Sequence, residues 1–223
     1  MNPEGKRTAG EMRFEQYLES QGLRFEFEKE HAGKSKHPDY KVEWKAKPVI
    51  LDAKDFDPPA ELGGFRYFDP YRKIREKINQ VRDQFKQFKD FPCGLVLCNL
   101  GTPDVDLENA AIMLGAMYGD AGFTFPVVRG KGDETQIKHA FLEHGKMIRA
   151  HRKTPQNTTI SALITLTRRR PHYQRVIVWH NAFARIPFPE DLFCGPYDTH
   201  FGIVKEDDGT FQRVTYCGSL LPT

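Results

Sequence analysis

The chain has 223 residues, 39% hydrophobic and 28% charged, with 17 phenylalanines. That supplies the apolar material for one well-buried domain and excludes a disordered chain. No apolar run approaches the roughly 20 residues that a membrane-spanning helix needs. The polar stretch Met1 to Gly10 has no secretory pattern, so the expectation is a cytoplasmic protein with no membrane partner.

A net charge of +3 permits a polyanionic partner without arguing for one. Cys93, Cys98, Cys194 and Cys217 are too scattered for a disulfide framework, and no pair has zinc-knuckle spacing. They read as small buried hydrophobes in a reducing compartment. Three basic clusters, Arg72-Lys73 with Arg75 and Lys77, His151-Arg152-Lys153 and Arg168-Arg169-Arg170, read as solvated faces.

In chain order, Glu11 to Gln21 predicts a helix, because Phe14, Tyr17 and Leu18 recur at helical spacing and Gly22 supplies a stop. Leu23 to Phe27 alternates apolar and charged residues, a strand pattern, and His31 to His37 is a polar loop. Tyr40, Val42 and Trp44 alternate with lysines and a glutamate to give a second strand. A turn over Ala46, Lys47 and Pro48 leads to a third, Val49 to Lys54. After a Pro/Gly/aromatic loop from Asp57 to Pro70, a long helix is predicted from Tyr71 to Phe88 on the stripe Ile74, Ile78, Val81, Phe85 and Phe88. Cys93 to Cys98 is wholly apolar and predicts a strand central in its sheet.

Further on, helices are expected over Asp106 to Tyr118 and Glu134 to Arg152, and strands over Thr159 to Thr167 and Arg175 to Trp179. Asp207-Asp208-Gly209 predicts the turn of a hairpin between Phe201–Lys205 and Phe211–Tyr216. No internal repeat or linker demands a second domain. The expectation is one α/β domain over residues 1–223, with a core of about 10–99 and an elaboration of about 100–223 that extends its mixed sheet.

The tripeptide Asp52-Ala53-Lys54 is weak evidence by itself, since Glu4-Gly5-Lys6 and Glu43-Trp44-Lys45 share its form. Its register distinguishes it. If the hairpin closes around Ala46-Lys47, Trp44 faces Val49, Val42 faces Leu51 and Tyr40 faces Ala53 on an apolar side. Asp39 then faces Lys54, and Asp52 faces Lys41, on the other. Two carboxylates on neighbouring strands can hold a hard divalent cation, and a lysine beside them can stabilise developing negative charge. The bland alternative is a surface hairpin with an Asp–Lys ion pair.

Read whole, the pattern resembles the PD-(D/E)xK nuclease superfamily, the restriction-endonuclease-like fold. His37-Pro38-Asp39-Tyr40 matches its PD element and Leu51-Asp52-Ala53-Lys54 its (D/E)xK element. The run Phe14-Glu15-Gln16-Tyr17-Leu18 into Gly22-Leu23 looks like its first motif. The predicted order of helix, three strands, helix and strand is also that of the superfamily core, and the resemblance covers roughly Gly10 to Asn99. It implies a metal-dependent nuclease using Mg²⁺, with Mn²⁺ able to substitute, acting on DNA in repair, restriction or mobile-element biology. It implies Asp39, Asp52 and Glu15 as metal ligands, with Glu11 as the same-face alternative to Glu15, and Lys54 as the catalytic lysine.

Lys73, Lys77, Gln80, Gln84 and Gln87 form a polar stripe beside the apolar stripe of the second long helix. By the same resemblance, Lys77, Gln80 and Gln84 are candidates for nucleic-acid contacts, and many relatives act as dimers, so a homodimer is an expectation. The competing functions are a catalytically silent nucleic-acid-binding module on the same fold and an interaction protein whose hairpin is merely charged. His180-Asn181 at a strand end reads as a hydrogen-bonded structural histidine. Gly63-Gly64 and Gly130-Lys131-Gly132 lack the context of a phosphate loop.

Overall fold

A computed structural model describes residues 7–27, 38–56, 69–99, 102, 105–124, 138–141, 144–149, 154–170, 173–205 and 211–217. The loop His31 to His37, the glycine pairs at Gly63-Gly64 and Gly130-Lys131-Gly132, the cluster His151-Arg152-Lys153 and the turn Asp207-Asp208-Gly209 lie outside them. The expected order of helix, three strands, helix and strand is present: α1 Ala9–Ser20, β1 Phe25–Phe27, β2 Tyr40–Trp44, β3 Lys47–Asp55, α2 Arg72–Phe85 and β4 Cys93–Cys98. There follow α3 Ala110–Tyr118, β5 Ala121–Thr124, β6 Lys138–Phe141, β7 Ala162–Arg170, β8 Tyr173–His180, β9 Thr199–Lys205 and β10 Phe211–Cys217.

The architecture is α/β. Among the described residues, eight strands form one mixed sheet in the order β1-β2-β3-β4-β7-β8-β9-β10, and β5 and β6 pair separately. β4 runs parallel to both β3 and β7, with Asp52 beside Leu95 and Leu95 beside Leu163. All six of its residues are buried, as its unbroken apolar run requires. The strands of the C-terminal half therefore extend the sheet begun by the first half, and β9 and β10 form the expected antiparallel hairpin. No helix among the described residues is long and apolar enough to cross a membrane.

Helices cover the two faces of the sheet. α1 lays Phe14, Tyr17 and Leu18 against Tyr40, Val42, Leu51, Ala53 and Val96, each large side chain worth roughly 1.5–3 kcal/mol of burial. α2 lays Ile74, Ile78, Val81 and Phe85 on the opposite face, against Ile50, Leu95 and Leu97, with α3 beside it. α1 starts at a capping box: Thr8 Oγ1 accepts from the Glu11 amide at 3.2 Å, and Glu11 Oε2 accepts from the Thr8 amide at 2.7 Å. It ends at Gly22 as expected, where φ is +66° and the Leu23 amide returns to the Leu18 carbonyl.

Three expectations are corrected. The β2–β3 hairpin closes two residues tighter, through Lys45 and Ala46 at φ +46° and +61°, so Tyr40 pairs with Leu51, Lys41 with Ile50 and Val42 with Val49. A two-residue turn with both central residues left-handed matches the strand twist. The slip is even, so each side chain keeps its face while its partner changes. α3 begins at Ala110 rather than Asp106, because Asp106 Oδ1 accepts from the Glu108 and Asn109 amides in a turn and Asn109 then caps the helix.

The third is the helix expected over Glu134 to Arg152, whose described parts are strand β6 and an irregular segment that bends at Lys146 and Met147, with Ile148 bridged to Pro155. Here α3 competes successfully for the backbone. The Lys146 and Met147 amides donate to Ala116 and Met117 carbonyls at 3.2 and 2.6 Å, satisfying the end of that helix. Gly145 lies so close that a Cβ on it would sit 2.3 Å from the Tyr118 carbonyl carbon.

Candidate active site

Asp39 immediately precedes β2, and Asp52 and Lys54 lie two residues apart on β3, on the face that carries Ile50 and is covered by α2. Extending the observed register by one pair sets Asp39 opposite Asp52, not opposite Lys54, and Asp52 is not opposite Lys41. The consequence is a closer carboxylate pair than the looser turn would give. Asp39 Oδ2 accepts from the Ala53 amide at 2.7 Å, which pins it across the mouth of the hairpin.

Lys54 joins the two acids. Its Nζ lies 3.7 Å from Asp39 Oδ2 and forms an ion pair with Asp52 Oδ1, while donating to the Ala53 carbonyl at 3.2 Å. The other oxygen of Asp52, Oδ2, accepts from Gln84 Nε2 at 2.6 Å, so α2 closes the site from above. Asp52 is 1% exposed.

Burial and charge set the protonation. Burial, then the neighbouring Asp52 charge, pushes the Asp39 carboxyl up from 3.8 to about 7, against the pull of Lys54 and the Ala53 amide. Burial also raises Asp52, with Lys54 and Gln84 opposing it. Burial pulls the Lys54 ammonium down, but Asp52 and Asp39 outweigh it and hold the amine charged above its ordinary value. Two acids that resist ionising together surround one cation.

The helical acids stand further back. Glu15 accepts from Arg7 Nε at 2.7 Å and from the Tyr40 hydroxyl at 3.3 Å. The charge from α1 that acts on Asp39 and Lys54 is that of Glu11. α1 covers the opposite face of the sheet from Asp52, so its carboxylates approach only around the edge at Asp39. Of the α2 candidates, Gln84 is in the site. Lys77 sets its ammonium 5.9 Å from the ring centre of Phe56, just past β3, and Gln80 is exposed between them. The Ala53 amide is a site group that residue types could not reveal, since any residue there supplies it.

For a metal, the donors at this point are hard oxygens: the Asp39 and Asp52 carboxylates and the Ala53 carbonyl. No group of three or more His, Cys, Asp or Glu side chains is placed to hold an ion among the described residues. Magnesium commonly needs only one or two carboxylates, keeping waters and taking substrate oxygens for the rest of its shell. The residues present fit that ion, and a cation there would favour the ionised form of both carboxyls, which burial disfavours.

Elsewhere, His180 Nε2 lies 2.9 Å from His200 Nδ1, and His200 Nε2 lies 3.2 Å from the Phe193 carbonyl. The Asn181 amide side chain donates to the Ile160 carbonyl at 2.7 Å. These are satisfied structural groups. Cys93 and Cys98 are buried as expected, whereas Cys194 is exposed, on a loop rather than in a strand. Comparison of the chain with protein-family models, with curated proteins and with solved structures finds no match.

Proposed function

We propose that the protein is a magnesium-dependent nuclease that hydrolyses phosphodiester bonds in DNA, built on a restriction-endonuclease-like core. The observation that supports it is the buried Asp39–Asp52 pair converging on Lys54, with both carboxyls held above their ordinary range. Asp39 and Asp52 are the residues that would hold the ion. When bound, Mg²⁺ supplies charge neutralisation at the phosphate and a more acidic water. Lys54 stays protonated and stabilises negative charge as it develops on the phosphate oxygens. Gln84 fixes the Asp52 carboxylate through Oδ2, while Oδ1 pairs with the Lys54 ammonium. Asp39, held by the Ala53 amide, keeps Oδ1 available to orient an attacking water.

The test is a cleavage time course on plasmid, linear duplex and single-stranded DNA, with and without Mg²⁺ or Mn²⁺, paired with a binding titration. Wild type should cut only with metal, Asp52→Ala should not cut, and Lys54→Ala should lose about 10²–10³-fold in rate. Binding should survive both changes, since backbone contacts are spread over many residues. Asp52→Ala protein that cuts as fast as wild type would falsify the assignment. Wild type that binds but never cuts with any metal would make this a silent nucleic-acid-binding module.

A further inference from the structure

On the flank of α2 turned away from Gln84, a cavity of about 590 Å³ opens between the start of that helix, Asp120 just beyond α3 and the segment 144–146. Arg75 lines it, with its side chain only 10% exposed. Among the described residues its hydrogen bonds leave from one nitrogen: Nη2 donates to the Gly115 carbonyl at 2.9 Å and to Asp120 at 2.6 Å. Nη1 has no partner among the described residues. The Tyr71 ring stacks under the guanidinium, 4.6 Å from its carbon, and holds its plane in place.

Lys146 lines the same cavity, half-buried, and no carboxylate pairs with it among the described residues. The acids on the wall are already committed. Asp120 serves Arg75, Glu76 serves Arg72, and Asp69 accepts from the Tyr71 amide. Burial, then Arg75 and Arg82, pulls the Lys146 ammonium below its ordinary value. Asp120 takes up Arg75 through one nitrogen only, and Lys146 adds a cation to the same recess with no carboxylate of its own among the described residues, which leaves room for a further anion.

We propose that Arg75 and Lys146 bind a phosphate group of the polynucleotide, on the opposite flank of α2 from the scissile position. This site presupposes the nuclease reading for its ligand. Nine residues separate Arg75 from Gln84, so the two positions stand about 13 Å apart along the helix axis, a span of more than one nucleotide. A strand crossing α2 would be gripped on both flanks, which would position it for cleavage rather than take part in the chemistry.

The experiment uses the full chain in chelator with a fluorescein-labelled duplex and a labelled single strand, titrated at several salt concentrations. Lys146→Ala should weaken binding about tenfold and reduce the slope of log K against log salt by about one. Lys146→Glu should weaken it further, and Lys146→Arg should restore it. Lys89→Ala, on an exposed residue past the far end of α2, should leave the slope unchanged. In the cleavage assay, Lys146→Ala should raise KM and leave kcat alone. An unchanged slope and KM in Lys146→Ala, with wild type binding normally, overturns this site and leaves the nuclease intact. If wild type ignores nucleic acid but inorganic phosphate shifts the Lys146 resonance, the polynucleotide assignment fails here too, and the cavity is a site for a small phosphate monoester. No response to either probe refutes both.

Discussion

Asp39 shows what the site costs the fold. Its carboxyl is raised from 3.8 to about 7, chiefly by burial and then by Asp52. Between those values the folded chain holds a proton that the unfolded chain has released. The stability this contributes is complete below 3.8 and lost as pH rises through about 7. Asp39→Asn keeps an acceptor for the Ala53 amide while removing the charge. In chelator, its Tm should exceed that of wild type by a few degrees above pH 7, and the gap should close as pH falls towards 4. A gap that is constant with pH would show that Asp39 is not destabilised by ionisation. Saturating Mg²⁺ should narrow it by supplying the missing cation.

At the scale of elements, the β2–β3 turn carries the site. Lys45 and Ala46 hold left-handed backbone angles although neither is glycine or asparagine, at roughly 1–2 kcal/mol for each. Ala46→Gly should therefore stabilise the protein by about 1 kcal/mol, measured by denaturant midpoint. It leaves the Lys45–Asp191 ion pair and the Asp39–Asp52 register in place, so cleavage should be unchanged. A destabilised variant would mean that the hairpin closes through another turn. That register also determines which side chains meet: two residues looser, and Lys54 rather than Asp52 would stand opposite Asp39.

Across the whole molecule, the sheet does not divide at the end of the apparent core. β4 is paired on both edges, with β3 on one side and β7 on the other. Tyr17 on α1 donates to Asp198 Oδ2 at 2.6 Å, and the Val176 amide of β8 donates to Oδ1 at 2.8 Å, so the first helix is fastened to the last third of the chain. A fragment of residues 1–99 would expose the open edge of a parallel, fully apolar strand and lose the C-terminal side chains that share both apolar clusters with α1 and α2. It should be insoluble or unfolded by circular dichroism. A soluble, cooperatively melting fragment would show that the C-terminal strands are dispensable.

Local periodicity was sufficient for whatever depends on which side of an element a residue occupies. The alternation in β2 and β3 placed Asp39, Asp52 and Lys54 on one face, the uniform apolarity of Cys93–Cys98 placed β4 inside the sheet, and helical spacing put Gln84 on the flank of α2 from which it reaches Asp52. Such facts follow from fixed repeats of two and 3.6 residues, which any register preserves. Tertiary structure alone decided which partner each residue meets. No glycine or asparagine marked the turn at Lys45-Ala46, so the acids' true opposition was invisible. The segment around Lys146 gave its amides to the carbonyls at the end of α3, more than twenty residues earlier in sequence, and so left the helix its composition suggested. Arg75, one of a run of surface-like cations, was drawn inward by Asp120 and the Gly115 carbonyl. Each outcome turns on a hydrogen bond or a burial supplied by a distant segment, and only the folded chain brings that segment within reach.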